Sequence, residues 1–225
     1  MELERVDTKR AYEQIRERIT TLELAPGSPV NEQKLAEELG MGLAPVREAL
    51  KLLAHDSLVV ITPRHGLYVA DVDIPDLEQL SEMRLALEGL SARLAAKRAT
   101  PDDLVVLEAL RQEQASTPPE EPRRLFDIDH KFHQAVARAA HNKYLADSLE
   151  RLFGLSQRLW YLALLGIGGQ LGFLPTAVEK HLGLVEAIKA GDGDRAEEIM
   201  REHVAEFYAQ VRQVLPAGAG GQVDA

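Results

Sequence analysis

The sequence contains no cysteine and no long run of apolar residues. The absence of cysteine excludes disulfides and thiolate metal sites. The apolar stretch 159–168 is too short to cross a bilayer, and no apolar stretch near the amino terminus resembles a signal peptide. We therefore expect a soluble, cytoplasmic protein that has no membrane partner.

Basic residues are also scarce. The chain has 26 Lys and Arg against 36 Asp and Glu, and residues 1–72 alone contain nine basic and twelve acidic side chains. Proteins that bind nucleic acid normally carry a basic surface. Net charge does not exclude DNA binding, because a contacting face can be basic while acidic residues lie on the far side. The charge balance therefore predicts that any affinity for DNA is modest.

The segment 31–69 has the pattern of two short helices joined by a tight turn and followed by a β-hairpin. Gly40 supplies the left-handed residue that ends the first helix, Gly42 is a tolerable N-cap for the second, and Pro45 falls in the first turn, where no backbone donor is needed. A further helix is predicted over residues 8–23. The faces predicted to be buried comprise Leu35, Ala36, Leu39, Val46, Ala49, Leu50 and Leu53.

Two apolar runs, 58–61 and 67–69, flank a turn-forming sequence. This turn contains Arg64, His65 and Gly66, and so carries two potentially cationic side chains. Two helices around a sharp turn, followed by a hairpin with a cationic tip, are the layout of a winged helix-turn-helix. The segment therefore predicts specific, salt-sensitive binding to a short palindrome in duplex DNA.

The remainder of the chain is predicted to be helical, with no alternating apolar pattern and no repeat. Two domains fit the length of 225 residues: a winged helix-turn-helix over residues 1–72 and an all-helical domain over residues 73–215, followed by a disordered tail over residues 216–225. The expected fold class is mainly α, with an antiparallel helical bundle after the DNA-binding domain. A glycine-rich loop is predicted over residues 166–172. The predicted helices span residues 75–98, 101–115, 122–141, 143–165, 175–190 and 192–214.

Three histidines and one aspartate are predicted to face the interior of this bundle. Asp129 and His133 lie one turn apart at the margin of an apolar stripe. His181 falls inside the stripe of the next-to-last helix, which includes Leu182, and His203 falls inside that of the last helix. The histidines predicted to point elsewhere are His55, His65, His130 and His141.

A buried ionisable group without a partner is costly, so this set implies either mutual hydrogen bonds or a shared cation. An aspartate and a histidine on one helix, with single histidines from two others, can build a metal site in a helical bundle. One carboxylate oxygen and three imidazole nitrogens suit a divalent metal ion, with Zn²⁺ favoured by abundance and Ni²⁺ or Mn²⁺ as alternatives. A single inward histidine would be interpreted as a hydrogen-bonded core residue, but four such residues together favour a metal.

The stretch PGSPVNEQKLAEELGMGLAPVREALKLLAHDSLVVITPRHGLYV resembles the DNA-binding domain of GntR-type bacterial transcription regulators, over nearly all of residues 8–70. The resemblance implies DNA contacts by Arg47 in the recognition helix and by Arg64, His65 and Gly66 in the wing. The alternative for Arg47 is an ion pair on the protein surface. Family members usually carry a hydroxyl residue and an arginine at the start of the recognition helix, where this chain has glycine and leucine.

The fragments MRLALEGLSARLAA, HKFHQAVARAAHN and EKHLGLVEAIKAGDGDRAEEIMREHV resemble the ligand-sensing FCD domain of the FadR subgroup of this family. Metal-binding members use an Asp-x-x-x-His pair and two later histidines. The resemblance therefore implies that the ligands are Asp129, His133, His181 and His203. It also implies a homodimer and a small organic acid that occupies the open positions of an octahedral ion.

Arg84 is the predicted second anchor for this acid. It falls on the inward face of its helix, where a cation needs an anion. An internal pair with Glu88, one turn further on, is an equally weighted alternative. Arg158, Trp160 and Tyr161 are assigned either to the pocket or to packing and dimer contacts.

The favoured function is a DNA-binding transcriptional regulator, a repressor and not an enzyme, whose operator affinity changes when the acid alters the arrangement of the dimer. A metal-dependent enzyme is one alternative. It is disfavoured because the sequence shows no inward-facing glutamate or second nucleophile near the predicted ligands. A regulator that responds to the metal itself is the other alternative.

Overall fold

Helices dominate the structure, a computed structural model that describes residues 2–72, 74–166 and 174–214. The described residues form two compact units. The first unit comprises residues 2–72 and 154–162, and the second comprises residues 74–153, 163–166 and 174–214. The mainly α fold class expected from the sequence is confirmed.

The first unit is a winged helix-turn-helix with a three-stranded antiparallel sheet of order β1-β3-β2. The hairpin of β2 and β3 is the predicted wing, and it closes with Thr62 opposite Gly66. The short strand β1 was not predicted. It pairs with β3 through Pro29 and Val30, which lie opposite Tyr68 and Leu67. The elements are α1 (Glu2–Thr20), β1 (Pro29–Val30), α2 (Glu32–Leu39), α3 (Leu43–His55), β2 (Val59–Thr62) and β3 (Gly66–Val69).

The turn between α2 and α3 follows from three residues. Asn31 caps α2, because its side-chain oxygen accepts the backbone N–H of Lys34 at 3.0 Å. Gly40 ends α2 in the left-handed region at φ 61°, where a residue without a Cβ is favoured. Gly42 is the N-cap of α3, as predicted. These local signals fix the angle at which the two helices meet.

Helix α1 differs from its predicted range at both ends. No glycine or proline interrupts residues 2–20, so the helix begins six residues earlier than the periodicity indicated. It ends at Thr20 instead of position 23 because Leu22 has φ 63° and cannot continue a right-handed helix. The hydroxyl of Thr21 donates to the carbonyl of Glu17 at 2.8 Å in this last turn.

The interior of the first unit is a cluster of buried apolar side chains from α1, α2, α3 and the sheet. Trp160 is fully buried, which favours packing over a place in an effector pocket. Arg158 is also buried, and its Nη1 donates to the backbone carbonyl of Ala70 at 2.7 Å. The cluster comprises Ala11, Ile15, Ile19, Val30, Leu35, Ala36, Val46, Ala49, Leu50, Leu53, Leu58, Val59 and Val69.

The second unit is built from helices whose boundaries agree with the predicted ranges to within two residues. Thr100 and Asp103 form a capping box at the start of α5, with Pro101 as its first residue. Gly191, at φ 73°, follows the end of α8. The helices are α4 (Ile74–Arg98), α5 (Pro101–Ser116), α6 (Pro122–Ala139), α7 (Lys143–Gly166), α8 (Leu174–Ala190) and α9 (Gly193–Val214), of which residues 154–162 in α7 belong to the first unit.

The buried face of α8 differs from the predicted stripe. Leu184 is buried, whereas Leu182 is 42% exposed. The buried residues Ala177, His181, Leu184 and Ile188 recur at helical spacing, and Leu182 lies about 100° around the helix from His181. The predicted loop 166–172 begins at Gly166, the last residue of α7, and otherwise lies outside the described residues, as does the predicted tail.

Candidate metal centre

Asp129, His133, His181 and His203 lie together inside the second unit, as predicted. Helix α6 supplies Asp129 and His133 one turn apart, α8 supplies His181 and α9 supplies His203. The three histidines are buried, and Asp129 is partly exposed. One ligand atom from each residue lies within 4.8 Å of every other. Three separate helices therefore converge on one point in the unit.

The donor atoms face one another. Nε2 of His181 lies 3.4 Å from Asp129 Oδ1, and Nε2 of His203 lies 3.6 Å from the same oxygen. Nε2 of His133 lies 3.6 Å from Asp129 Oδ2 and 3.0 Å from Nε2 of His203. Donors that share one ion at about 2.0–2.2 Å lie about 3.0–3.5 Å apart. The separations therefore fit four donors around one cation.

Two of these donor atoms lack a protein partner. Asp129 Oδ1 and His181 Nε2 are buried and accept or donate no hydrogen bond within the described residues. A buried polar atom without a partner is costly, and native structures contain few of them. A cation between the four side chains would satisfy both atoms. This observation fits a metal ion better than a self-contained hydrogen-bond network.

The other ring nitrogens of two histidines are held from behind. The Nδ1–H of His133 donates to a carboxylate oxygen of Glu88, and the Nδ1–H of His181 donates to Gln114 Oε1 at 2.7 Å. Glu88 and Gln114 are both buried. A metal-binding histidine commonly donates its second ring N–H in this way, because the bond orients the ring and fixes the tautomer.

The charges around the cluster shift several pKa values. Burial would raise the pKa of Glu88, but the charges of Arg84 and His133 outweigh it and hold that pKa at about 2. Burial would likewise raise the pKa of Asp129, but the neighbouring histidines lower it well below its usual range. The pKa of His133 is raised because Glu88 and Asp129 outweigh burial, whereas burial and His203 lower the pKa of His181.

Arg84 is buried, and its Nε donates to Glu88, which is the internal pair given as the alternative in the sequence analysis. Its guanidinium carbon lies 5.1 Å from the ring centroid of Phe153 and 5.7 Å from those of Phe207 and Tyr208. Arg84 is thus enclosed by three aromatic rings and one carboxylate.

Two expectations about this region were wrong. The sequence analysis found no inward-facing glutamate near the ligands, but Glu88 is 1% exposed and contacts His133. The signal that could have found it is its position one helical turn after Arg84. His130 was expected to point away, yet it is only partly exposed, with its ring centroid 5.2 Å from that of Phe153. His55, His65 and His141 are exposed, as expected.

The predicted DNA-contacting residues lie on the surface of the first unit. Arg64, His65 and Gly66 are exposed in the wing turn, with Arg64 at φ 68° and Gly66 at φ 104°. Arg47, on α3, is also exposed, and its Nε lies 2.9 Å from a carboxylate oxygen of Glu32. Arg47 therefore makes a surface ion pair, with a partner on α2.

No helix among the described residues is long and apolar enough to cross a membrane. A winged helix-turn-helix unit and a helical unit that gathers polar side chains in its interior define a DNA-binding regulator with a sensing domain. The chain belongs to the GntR family: residues 7–69 match "Bacterial regulatory proteins, gntR family" and residues 79–206 match the FCD domain. This is a family of transcriptional regulators and not of enzymes.

Individual relatives agree with this assignment. The chain is 33% identical over 205 residues to the probable D-xylose utilization operon transcriptional repressor of Paenarthrobacter nicotinovorans, with 88% of this chain and 84% of that protein covered. It is 28% identical over 207 residues to the HTH-type transcriptional repressor RspR of Escherichia coli, with 92% and 89% covered. Among solved structures, Escherichia coli McbR/YncC has the same fold, with a TM-score of 0.79 at 24% identity and coverage of 92% and 97%.

Proposed function

We propose that this protein is a transcriptional repressor of the FadR subgroup whose affinity for its operator is set by a small organic acid bound at a divalent metal ion in the second unit. Asp129, His133, His181 and His203 would hold the ion. The observation that carries the proposal is the convergence of their donor atoms, two of which lack a protein partner. Zn²⁺ is the favoured ion, with Ni²⁺ or Mn²⁺ as alternatives, because imidazole and carboxylate suit all three.

The ion would supply a positive charge that attracts an anion into the interior of the second unit. A carboxylate is the simplest small anion that can both bind a metal and accept hydrogen bonds. Arg84 is the proposed second anchor for this acid. Its pair with Glu88 uses the Nε–H, and a guanidinium carries four further N–H donors.

The first unit would bind the operator. Arg47 in α3 and Arg64, His65 and Gly66 in the wing are the proposed contacts, and they are exposed on a unit that the family assigns to DNA. A homodimer would present two recognition helices to the two halves of a short palindrome. Bound acid would favour one arrangement of the dimer, so that acid affinity and DNA affinity change each other by the same factor.

The experiment begins with selection of a binding sequence from random duplex DNA. The affinity of the metal-loaded protein for the selected duplex is then measured by fluorescence anisotropy with and without each member of a panel of small carboxylic acids. Acids are first ranked by thermal shift on metal-loaded and metal-stripped protein, because a ligand that binds only the folded state raises its stability. We expect at least one acid to stabilise only the metal-loaded protein and to change its DNA affinity. A panel with no such acid would contradict the proposal.

A regulator that responds to the metal itself is the second candidate, because the same donor convergence would serve it. It predicts that Zn²⁺ alone, added to stripped protein without any acid, changes the affinity for the selected duplex. The proposed effector mechanism predicts that the acid is required for that change.

A further inference from the structure

We propose that Glu88 is a positioning residue of the metal centre: its carboxylate fixes the proton of His133 on Nδ1 and so keeps Nε2 available as the donor atom. The inference rests on the proposed function, since it assumes that the cluster binds a metal ion. It adds to the cluster a residue from α4, a helix that supplies none of the four proposed ligands.

The contacts of Glu88 leave its carboxylate one orientation. The side chain is buried, with one oxygen accepting from Nδ1 of His133 and the other from Nε of Arg84. Both partners are themselves buried. A carboxylate held from two sides by groups that cannot move into solvent is a fixed reference against which the imidazole ring is oriented.

The carboxylate is ionised across the neutral range. The Arg84 guanidinium and His133 offset burial and hold the pKa of Glu88 at about 2. An ionised carboxylate only accepts hydrogen bonds, so the shared proton must belong to Nδ1 of His133. A neutral imidazole carries one N–H and one lone pair, and the lone pair is then on Nε2.

That nitrogen is the atom that faces the other proposed ligands. Nε2 of His133 lies 3.6 Å from Asp129 Oδ2 and 3.0 Å from Nε2 of His203. A proton on Nε2 would occupy the position at which a cation must bind. Glu88 therefore selects the tautomer that can bind a metal before any metal arrives.

Gln114 holds His181 from the equivalent side, and the comparison sharpens the role of the charge. Its Oε1 accepts from Nδ1 of His181 at 2.7 Å. An amide can also turn its NH₂ group toward Nδ1 and stabilise the opposite tautomer, which an ionised carboxylate cannot do. The pair on His133 is therefore the one that fixes the tautomer without ambiguity.

The test compares three forms of the full chain with Zn²⁺ as the probe. Glu88→Gln keeps the shape but loses the charge, and the double variant Arg84→Met/Glu88→Leu removes the hydrogen-bonding group at position 88 without leaving a buried lone charge. Zn²⁺ affinity is measured by competition with a chelating dye. We expect it to fall by about 10-fold to 100-fold, with the larger loss in the double variant.

A second readout follows the proton itself. Histidine labelled with ¹⁵N is observed in the metal-free protein at a pH above the pKa of His133, where correlation spectra distinguish Nδ1–H from Nε2–H. We expect a single Nδ1–H tautomer for His133 in the wild type and a mixture of both tautomers in Glu88→Gln. A purely structural role for Glu88 would not alter this ratio.

Asp103→Asn is the matched control, because Asp103 also accepts from a histidine, at 2.8 Å from Nε2 of the exposed His141. Its Zn²⁺ affinity should equal that of the wild type. Wild-type protein that binds no Zn²⁺ would overturn the metal centre, and this inference with it. Wild-type protein that binds Zn²⁺, with folded Glu88 variants that bind it equally well and keep the Nδ1–H tautomer, would overturn this inference alone.

Discussion

The two units differ in what fills their interiors. The core of the first unit is a continuous cluster of apolar side chains contributed by helices and sheet. The second unit instead buries Arg84, Glu88 and three histidines beside its apolar residues. Apolar packing gains free energy without any partner, whereas a buried polar group gains only when every donor and acceptor is satisfied. The stability of the second unit should therefore depend on its internal charges and on a bound ion, and that of the first should not.

The largest expected effect is the loss of Arg84. Arg84→Met leaves the Glu88 carboxylate buried without its guanidinium, and breaking one side of a buried ion pair costs about 3–5 kcal/mol. Amide hydrogen exchange in α6 measures this loss of stability within the second unit. The double variant Arg84→Met/Glu88→Leu should recover most of it. Equal protection in the wild type and in Arg84→Met would remove the contrast between the units.

A cavity in the first unit should leave the second unchanged. Leu50 is fully buried in the apolar cluster, and Leu50→Ala should destabilise the first unit by about 2–5 kcal/mol. The single tryptophan, Trp160, belongs to this unit, so its fluorescence during urea unfolding reports the change. Zn²⁺ affinity should stay at the wild-type value. A parallel loss of Zn²⁺ affinity would show that the two interiors are not independent.

A smaller effect is expected at the start of α2. Asn31→Ala removes the side-chain oxygen that caps the helix and should cost about 1 kcal/mol. Asn31→Asp keeps an acceptor at the same place and serves as the control. Urea unfolding of both variants, followed by Trp160 fluorescence, measures the difference. Equal stability of the alanine and aspartate variants would contradict the assigned cap.

The smallest effect on folding is expected at the wing. Arg64 is exposed, so Arg64→Ala should leave stability unchanged but remove one contact to a DNA phosphate. The dependence of log affinity on log salt concentration should then become shallower by about 1. Arg124→Ala, an exposed arginine in the second unit, is the control and should leave the slope unchanged. Equal slopes for all three proteins would exclude Arg64 from the DNA contact.

The sequence was a good guide to the first unit wherever the signal was local. The glycines at positions 40 and 42 and the turn sequence of the wing each determine the conformation of their own neighbours, and all were interpreted correctly. Strand β1 was missed because two residues are too few to show an alternating pattern. Its pairing partners, Leu67 and Tyr68, lie far along the chain.

In the second unit, helical spacing predicted which ligands face inward, because one residue in a stripe fixes the direction of the others. It could not reveal the groups behind them. Glu88 is joined to His133 across 45 positions of sequence, and Gln114 carries no charge that would have drawn attention to a buried position. Contacts between helices depend on packing that a single-helix periodicity does not contain.

The most direct test of the account is the metal content of the purified protein. Wild-type chain and the His181→Ala variant are incubated with Zn²⁺, dialysed and analysed by plasma mass spectrometry, with circular dichroism to verify the native fold. The account predicts one ion per wild-type chain and a large loss of bound metal in His181→Ala. A natively folded wild-type protein that retains no transition metal ion would contradict it.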